Sequence, residues 1–60
     1  MDEYYILHWR FDLDIREHTA NFDSFTEAEA AMKNKMKFYN DLAYIMITWG
    51  SSTLLKITFK

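Results

Sequence analysis

With 60 residues, no cysteine and a formal net charge of −2, the chain excludes disulfide and thiolate chemistry, a strongly basic nucleic-acid footprint and the dense acidity of a DNA mimic. Half of the residues are hydrophobic and eleven are aromatic (two Trp, four Tyr, five Phe), enough apolar material to exclude intrinsic disorder. The length allows one globular domain, 1–60, close to the lower limit for folding without a disulfide or metal.

From Tyr4 to Leu13 the residues alternate: Tyr5, Leu7, Trp9, Phe11 and Leu13 form one set, and Tyr4, Ile6, His8, Arg10 and Asp12 the other. Period-two alternation rich in aromatics predicts a strand whose first set faces a core. A turn is expected over Asp12 to Ile15, and Arg16 to Phe22 then reads as a short strand with His18, Ala20 and Phe22 on one side. Its polar side, Glu17, Thr19 and Asn21, suits a sheet edge.

Asp23-Ser24-Phe25-Thr26-Glu27 signals a helix start. Ser24 can accept from an unpaired N–H of the first turn and Glu27 can reach back to Ser24, with Thr26 and Glu29 as an overlapping pair. Good helix formers continue to about Tyr39. Phe25, Ala28, Met32, Met36 and Tyr39 recur at spacings of three and four, one apolar stripe for a sheet to cover. Asn40-Asp41 is the expected end, Asn being tolerant of left-handed φ/ψ.

Ala43 to Trp49 and Thr53 to Lys60 read as a second hairpin, turned at Gly50-Ser51-Ser52, where the single glycine makes positive φ inexpensive. Ile45, Ile47 and Trp49, with Leu55, Ile57 and Phe59, belong to the core side. Tyr44, Met46 and Thr48, with Leu54, Lys56 and Thr58, belong to the other. The fold class is therefore α+β: a ββαββ chain with a four-stranded antiparallel or mixed sheet and one helix packed on one face. The layout of hairpin, helix and hairpin in about sixty residues resembles the immunoglobulin-binding domains of streptococcal protein G. That resemblance, of element order and length, implies one possible arrangement with the first and last strands side by side and parallel in the centre.

Reactive groups are few. His8 and His18 lie on adjacent predicted strands, but two imidazoles fall short of the three or four ligands of a zinc site. Asp12 and Asp14 are explained by their turn, and Ser51 and Ser52 have no evident base. One glycine rules out a glycine-rich phosphate loop. A cleft of several hundred cubic ångströms is not expected from one helix and one sheet. The expectation is a non-enzyme with no cofactor and no metal.

One helix cannot cover both faces of four strands. The uncovered face would carry Tyr4, Ile6, His8, Arg10, Tyr44, Met46, Leu54 and Lys56, and exposed apolar area in a small chain marks a contact site. Tyr and Arg are enriched at contact centres, with Met as adaptable filler. A protein partner is expected, either a second copy or a host target, with surface blockade as the mechanism. In size and style the chain resembles small inhibitors encoded by bacteriophages and mobile elements, anti-CRISPR proteins among them. The alternative is a sheet-face nucleic-acid binder or an accessory homodimer, the former because aromatics beside basic residues can stack bases. No segment has the ~20 apolar residues of a membrane span and no signal peptide is evident. The expectation is thus a complete small cytoplasmic protein without a membrane partner, working in the host cytoplasm if phage-encoded.

Overall fold

The computed structural model describes residues 4–59. The elements follow the expected order: β1 (Tyr5–Phe11), β2 (Glu17–Phe22), α1 (Phe25–Phe38), β3 (Leu42–Trp49) and β4 (Ser52–Thr58). The expected end of the last strand at Lys60 lies outside the described residues.

β1 stops two residues before its apolar alternation does. The Asp12 N–H donates to the Asp41 carbonyl at 2.7 Å and the Asp14 N–H to the Phe11 carbonyl at 3.2 Å, so the chain is already turning. Leu13, expected in the core, is consequently 98% exposed. Arg10 secures this turn by donating to the carbonyls of Phe11 (3.3 Å) and Asp14 (3.1 Å).

The strand order is β2-β1-β3-β4, and each neighbouring pair is antiparallel. The central pair is β1 with β3, not the first strand with the last, and β4 is an edge. The parallel centre implied by the protein G resemblance is therefore replaced by a fully antiparallel sheet. Both β2 and β3 run opposite to β1, so they run parallel to each other and need a crossover between them. The 14-residue α1 supplies it.

The helix starts where its sequence signal places it. Ser24 is the N-cap, its Oγ accepting from the Glu27 N–H at 3.2 Å, while the overlapping Thr26 start is not used. The helix ends at Tyr39, which turns directly to extended φ/ψ (−109°, 131°), its N–H donating to the Lys35 carbonyl. Gly50 (φ 59°) is the only positive-φ residue among those described, so the left-handed ending expected around Asn40 is absent. A two-residue run of chain into β3 leaves no room for it.

Two register shifts shape the sheet. Phe11 pairs with Leu42 and Arg10 with Tyr44, leaving Ala43 as the extra residue. The shift returns Leu42 to the helix side, where it is 3% exposed. In the second hairpin Ile47 pairs with Leu55 but Thr48 with Thr53, so Leu54 is the extra residue. Such insertions bend and twist a strand locally.

The core is Leu7, Ala28, Met32, Leu42, Ile45 and Ile47, flanked by partly buried Tyr5, Trp9, Phe11, Phe22, Phe25, Met36, Leu55 and Ile57. Each fully buried large side chain contributes about 1.5–3 kcal/mol. The helix lies over β1, β2 and β3, and none of its Cα atoms comes within 8 Å of one in β4. Strands ~4.8 Å apart and a helix ~10 Å across make this unavoidable: one helix spans about three strands. Phe59, expected in the core beside β4, is accordingly 47% exposed, and Trp49 is 37% exposed.

Ile45→Ala, at a fully buried position between both neighbours of β3, is expected to cost about 2–5 kcal/mol, and Ser24→Ala about 1 kcal/mol. Urea denaturation followed by circular dichroism checks both. Equal, small effects at the two positions would contradict this core.

Candidate functional site: the open face of the sheet

Register pairing places three rows of side chains on the face away from α1. They run Glu17, Arg10, Tyr44, Thr58; then Thr19, His8, Met46, Lys56; then Asn21, Ile6, Thr48, Thr53. Ile6, His8, Arg10, Tyr44, Met46 and Lys56 are thus brought together, as their alternation predicts. Tyr4 precedes β1 at 38% exposure and Leu54 occupies the β4 register shift at 46% exposure, so both flank this set instead of lying within the ladder.

A polar network crosses the face. His8 Nδ1 is 3.0 Å from Glu17 Oε1, and His8 Nε2 is 2.9 Å from Thr48 Oγ1. The Tyr44 hydroxyl donates to Glu17 Oε2. An ionised carboxylate only accepts, so the proton between His8 and Glu17 belongs to Nδ1. In the neutral ring Nε2 then accepts from the Thr48 hydroxyl. The Tyr44 hydroxyl, with help from His8, holds the Glu17 carboxyl below its ordinary value of 4.5. Reciprocally, the Glu17 carboxylate raises the Tyr44 phenol above 10.0.

Two cations lie near the Tyr44 ring: Arg10 Cζ is 5.7 Å and Lys56 Nζ 5.6 Å from its centroid, both within cation–π range. Tyr44 is therefore tethered at its hydroxyl and accompanied at its ring by side chains from β1 and β4. Glu17 and Thr48 were not among the residues expected at this site. Their signal was parity: Glu17 opposes Arg10 in the hairpin, and Thr48 shares the side of Tyr44 and Met46.

Thr48, His8 and Glu17 have the connectivity of a nucleophile, a base and an orienting carboxylate. The surroundings do not complete such a site. β3 is paired on both sides, so its backbone N–H groups run within the sheet into the ladders and do not project from the face as oxyanion donors. The histidines occupy opposite faces, since His8 pairs with Thr19 and His18 with Trp9. His18 instead stacks on Trp9 at 5.6 Å, beneath which Lys35 Nζ sits 4.0 Å from the Trp9 ring centroid. Among the described residues no three His, Cys, Asp or Glu side chains gather as a metal group.

The structure holds a groove the sequence did not suggest. Met36, Lys37, Phe38, Tyr39, Asn40, Leu42 and Phe59 line about 410 Å³ at the C-terminal end of α1. No helix among the described residues is long and apolar enough to cross a membrane. Comparisons with protein-family models, with curated proteins and with solved structures find no match.

The depressed Glu17 pKa sets a sign for pH dependence. Its contribution to stability is complete above 4.5 and is lost as pH falls through the lower folded-state value. Glu17→Gln should therefore be less stable than the parent at pH 7 and lose less stability between pH 5 and pH 3. Urea midpoints across that range check this; identical acid limbs for the two proteins would contradict it.

Proposed function

We propose that the chain is a non-enzymatic protein-binding module that docks through the open sheet face and acts by occupying a surface on a larger protein. The observation that carries this reading is Tyr44, held between Arg10 and Lys56 and tied to Glu17 on a face that no second layer covers. Rigid aromatic and Arg anchors concentrate binding energy, and holding them in place beforehand reduces the entropy cost of association. Ile6 and Met46 supply apolar contact beside them, Tyr4 and Leu54 lie at the margins, and His8 is fixed by its two partners. Inhibition of a host enzyme or defence system, as by small phage proteins, is the activity this mode of binding suits.

The same Tyr44, between two cations, supports a second reading as a single-strand nucleic-acid binder that stacks a base. Glu17 weighs against it. Its carboxylate lies in the same row as Arg10 and Tyr44 and would repel a phosphate backbone.

Affinity capture from a relevant lysate should recover a stoichiometric protein partner with the parent chain. Tyr44→Ala should weaken that complex by about 2 kcal/mol, roughly 30-fold, and Met46→Asp should abolish it while thermal unfolding stays cooperative. Capture that is indifferent to both substitutions would refute this use of the face. Retardation of single-stranded oligonucleotides at low salt, lost in Tyr44→Ala, would favour the second reading instead.

A further inference from the structure

We propose that the end of the molecule carrying the β1–β2 turn and the C-terminus of α1 is a self-association surface, where two copies of this chain meet about a twofold axis with the turn of each against the groove of the other. This surface is separate from the open face and stands on different residues.

The three most exposed large apolar side chains among the described residues, Leu13, Ile15 and Phe38, gather at that end, with Phe59 and Tyr39 beside them. Leu13 is 98% exposed, Ile15 91%, Phe38 74%, Phe59 47% and Tyr39 43%. Their proximity follows from the backbone: the turn is bonded to the helix exit through Asp12 N–H and the Asp41 carbonyl, and the Phe11 and Tyr39 rings meet edge-on at 5.0 Å. Phe59 joins them because its N–H donates to the Ala43 carbonyl at 2.8 Å, at the start of β3. The opposite end of the sheet differs. There Tyr5 packs against Trp49 at 4.5 Å and Phe25 at 6.1 Å, and the apolar side chains left open, Leu54, Tyr4 and Trp49, are each less exposed than Leu13, Ile15 and Phe38.

Area and shape both select a second copy as the occupant. A large aromatic carries roughly 150–250 Å², so these five partly or fully exposed side chains present on the order of 600 Å². A standard interface buries about 800 Å² per partner, and the polar rim of Lys37, Asn40 and Asp41 supplies the remainder. The surface is also self-complementary. It sets a projection, Leu13 and Ile15, beside a 410 Å³ groove lined by Met36, Phe38, Tyr39, Leu42 and Phe59. A cavity of about 150 Å³ takes one benzene-sized group, so the groove has room for two aliphatic side chains. A projection and its receptor on one end are what an isologous contact requires: each protomer gives and receives the same elements.

Light scattering of the parent chain at high micromolar concentration should give twice the 7.3 kDa protomer mass, falling toward one on dilution. Leu13→Asp and Phe38→Asp alter exposed positions, so each should keep the parent circular dichroism spectrum and weaken dimerisation at least tenfold, about 1.4 kcal/mol. Met46→Asp should leave the dimer intact, and Leu13→Asp should still capture an open-face partner, which separates this surface from that of the proposed function. As an orthogonal measure, mixing Leu13→Cys with Phe38→Cys chains under mild oxidation should yield mainly the mixed disulfide. A parent chain that remains one protomer throughout, a dimer indifferent to Leu13→Asp and Phe38→Asp, or disulfides formed only between identical variants would overturn the proposal.

Discussion

The antiparallel pairing of β1 with β3 beneath α1 is the constraint on which the rest of the molecule depends. Leu7, Ile45 and Ile47 from these two strands are fully buried, and Met32 of the helix closes over them. Burial on the sheet's midline lets one short helix dry the largest part of the sheet. It also fixes the remainder by subtraction. β2 and β4 become edges, the β2-to-β3 connection becomes a crossover that must carry the helix, and the side chains of opposite parity on β1, and on β3 after its register shift at Ala43, go to the uncovered face.

From that arrangement come two surfaces of different character. The open face combines Ile6 and Met46 with a network in which Glu17, His8, Thr48 and Tyr44 satisfy one another across three strands. Such a face survives in water alone and still offers fixed aromatic and cationic groups to a partner. At the end beyond β1 and α1 there is little internal compensation. The chain reverses there through a turn with no glycine, and the helix exits in extended backbone, leaving Leu13, Ile15 and Phe38 in solvent. Small domains bury a smaller share of their surface than large ones, and this one concentrates the unburied apolar share at defined places.

Much of the architecture was legible in the residues. The alternation of Tyr5, Leu7, Trp9 and Phe11, the Ser24 cap and Gly50 each acts through local stereochemistry, so each could be read without knowing the fold. Parity likewise assigned Ile6, His8, Arg10, Tyr44 and Met46 to one face. What escaped depends on pairing between distant strands. Nothing local says that β3, not β4, lies beside β1, since both carry the same alternating Ile, Leu and Thr. The register shifts at Ala43 and Leu54 are equally invisible, and the first of them moves Leu42 into the core. Leu13 was misplaced because alternation continues past the point where the Arg10 side chain and the Asp41 carbonyl stop the strand. The groove escaped for a related reason: it is lined by the helix exit, Leu42 and Phe59, which only the pairing of distant segments brings together.

α1 shields one face of the sheet, and the other meets solvent. Two methionines report on this directly, because Met32 is 1% exposed beneath the sheet whereas Met46 lies on the far side. Methyl NMR of methionine-labelled protein, titrated with a soluble paramagnetic probe, separates the two. Strong broadening of the Met46 methyl with the Met32 methyl unaffected is the predicted result. Equal protection of both methyls in the dilute protomer would mean that the far face is covered from within, and would contradict the account.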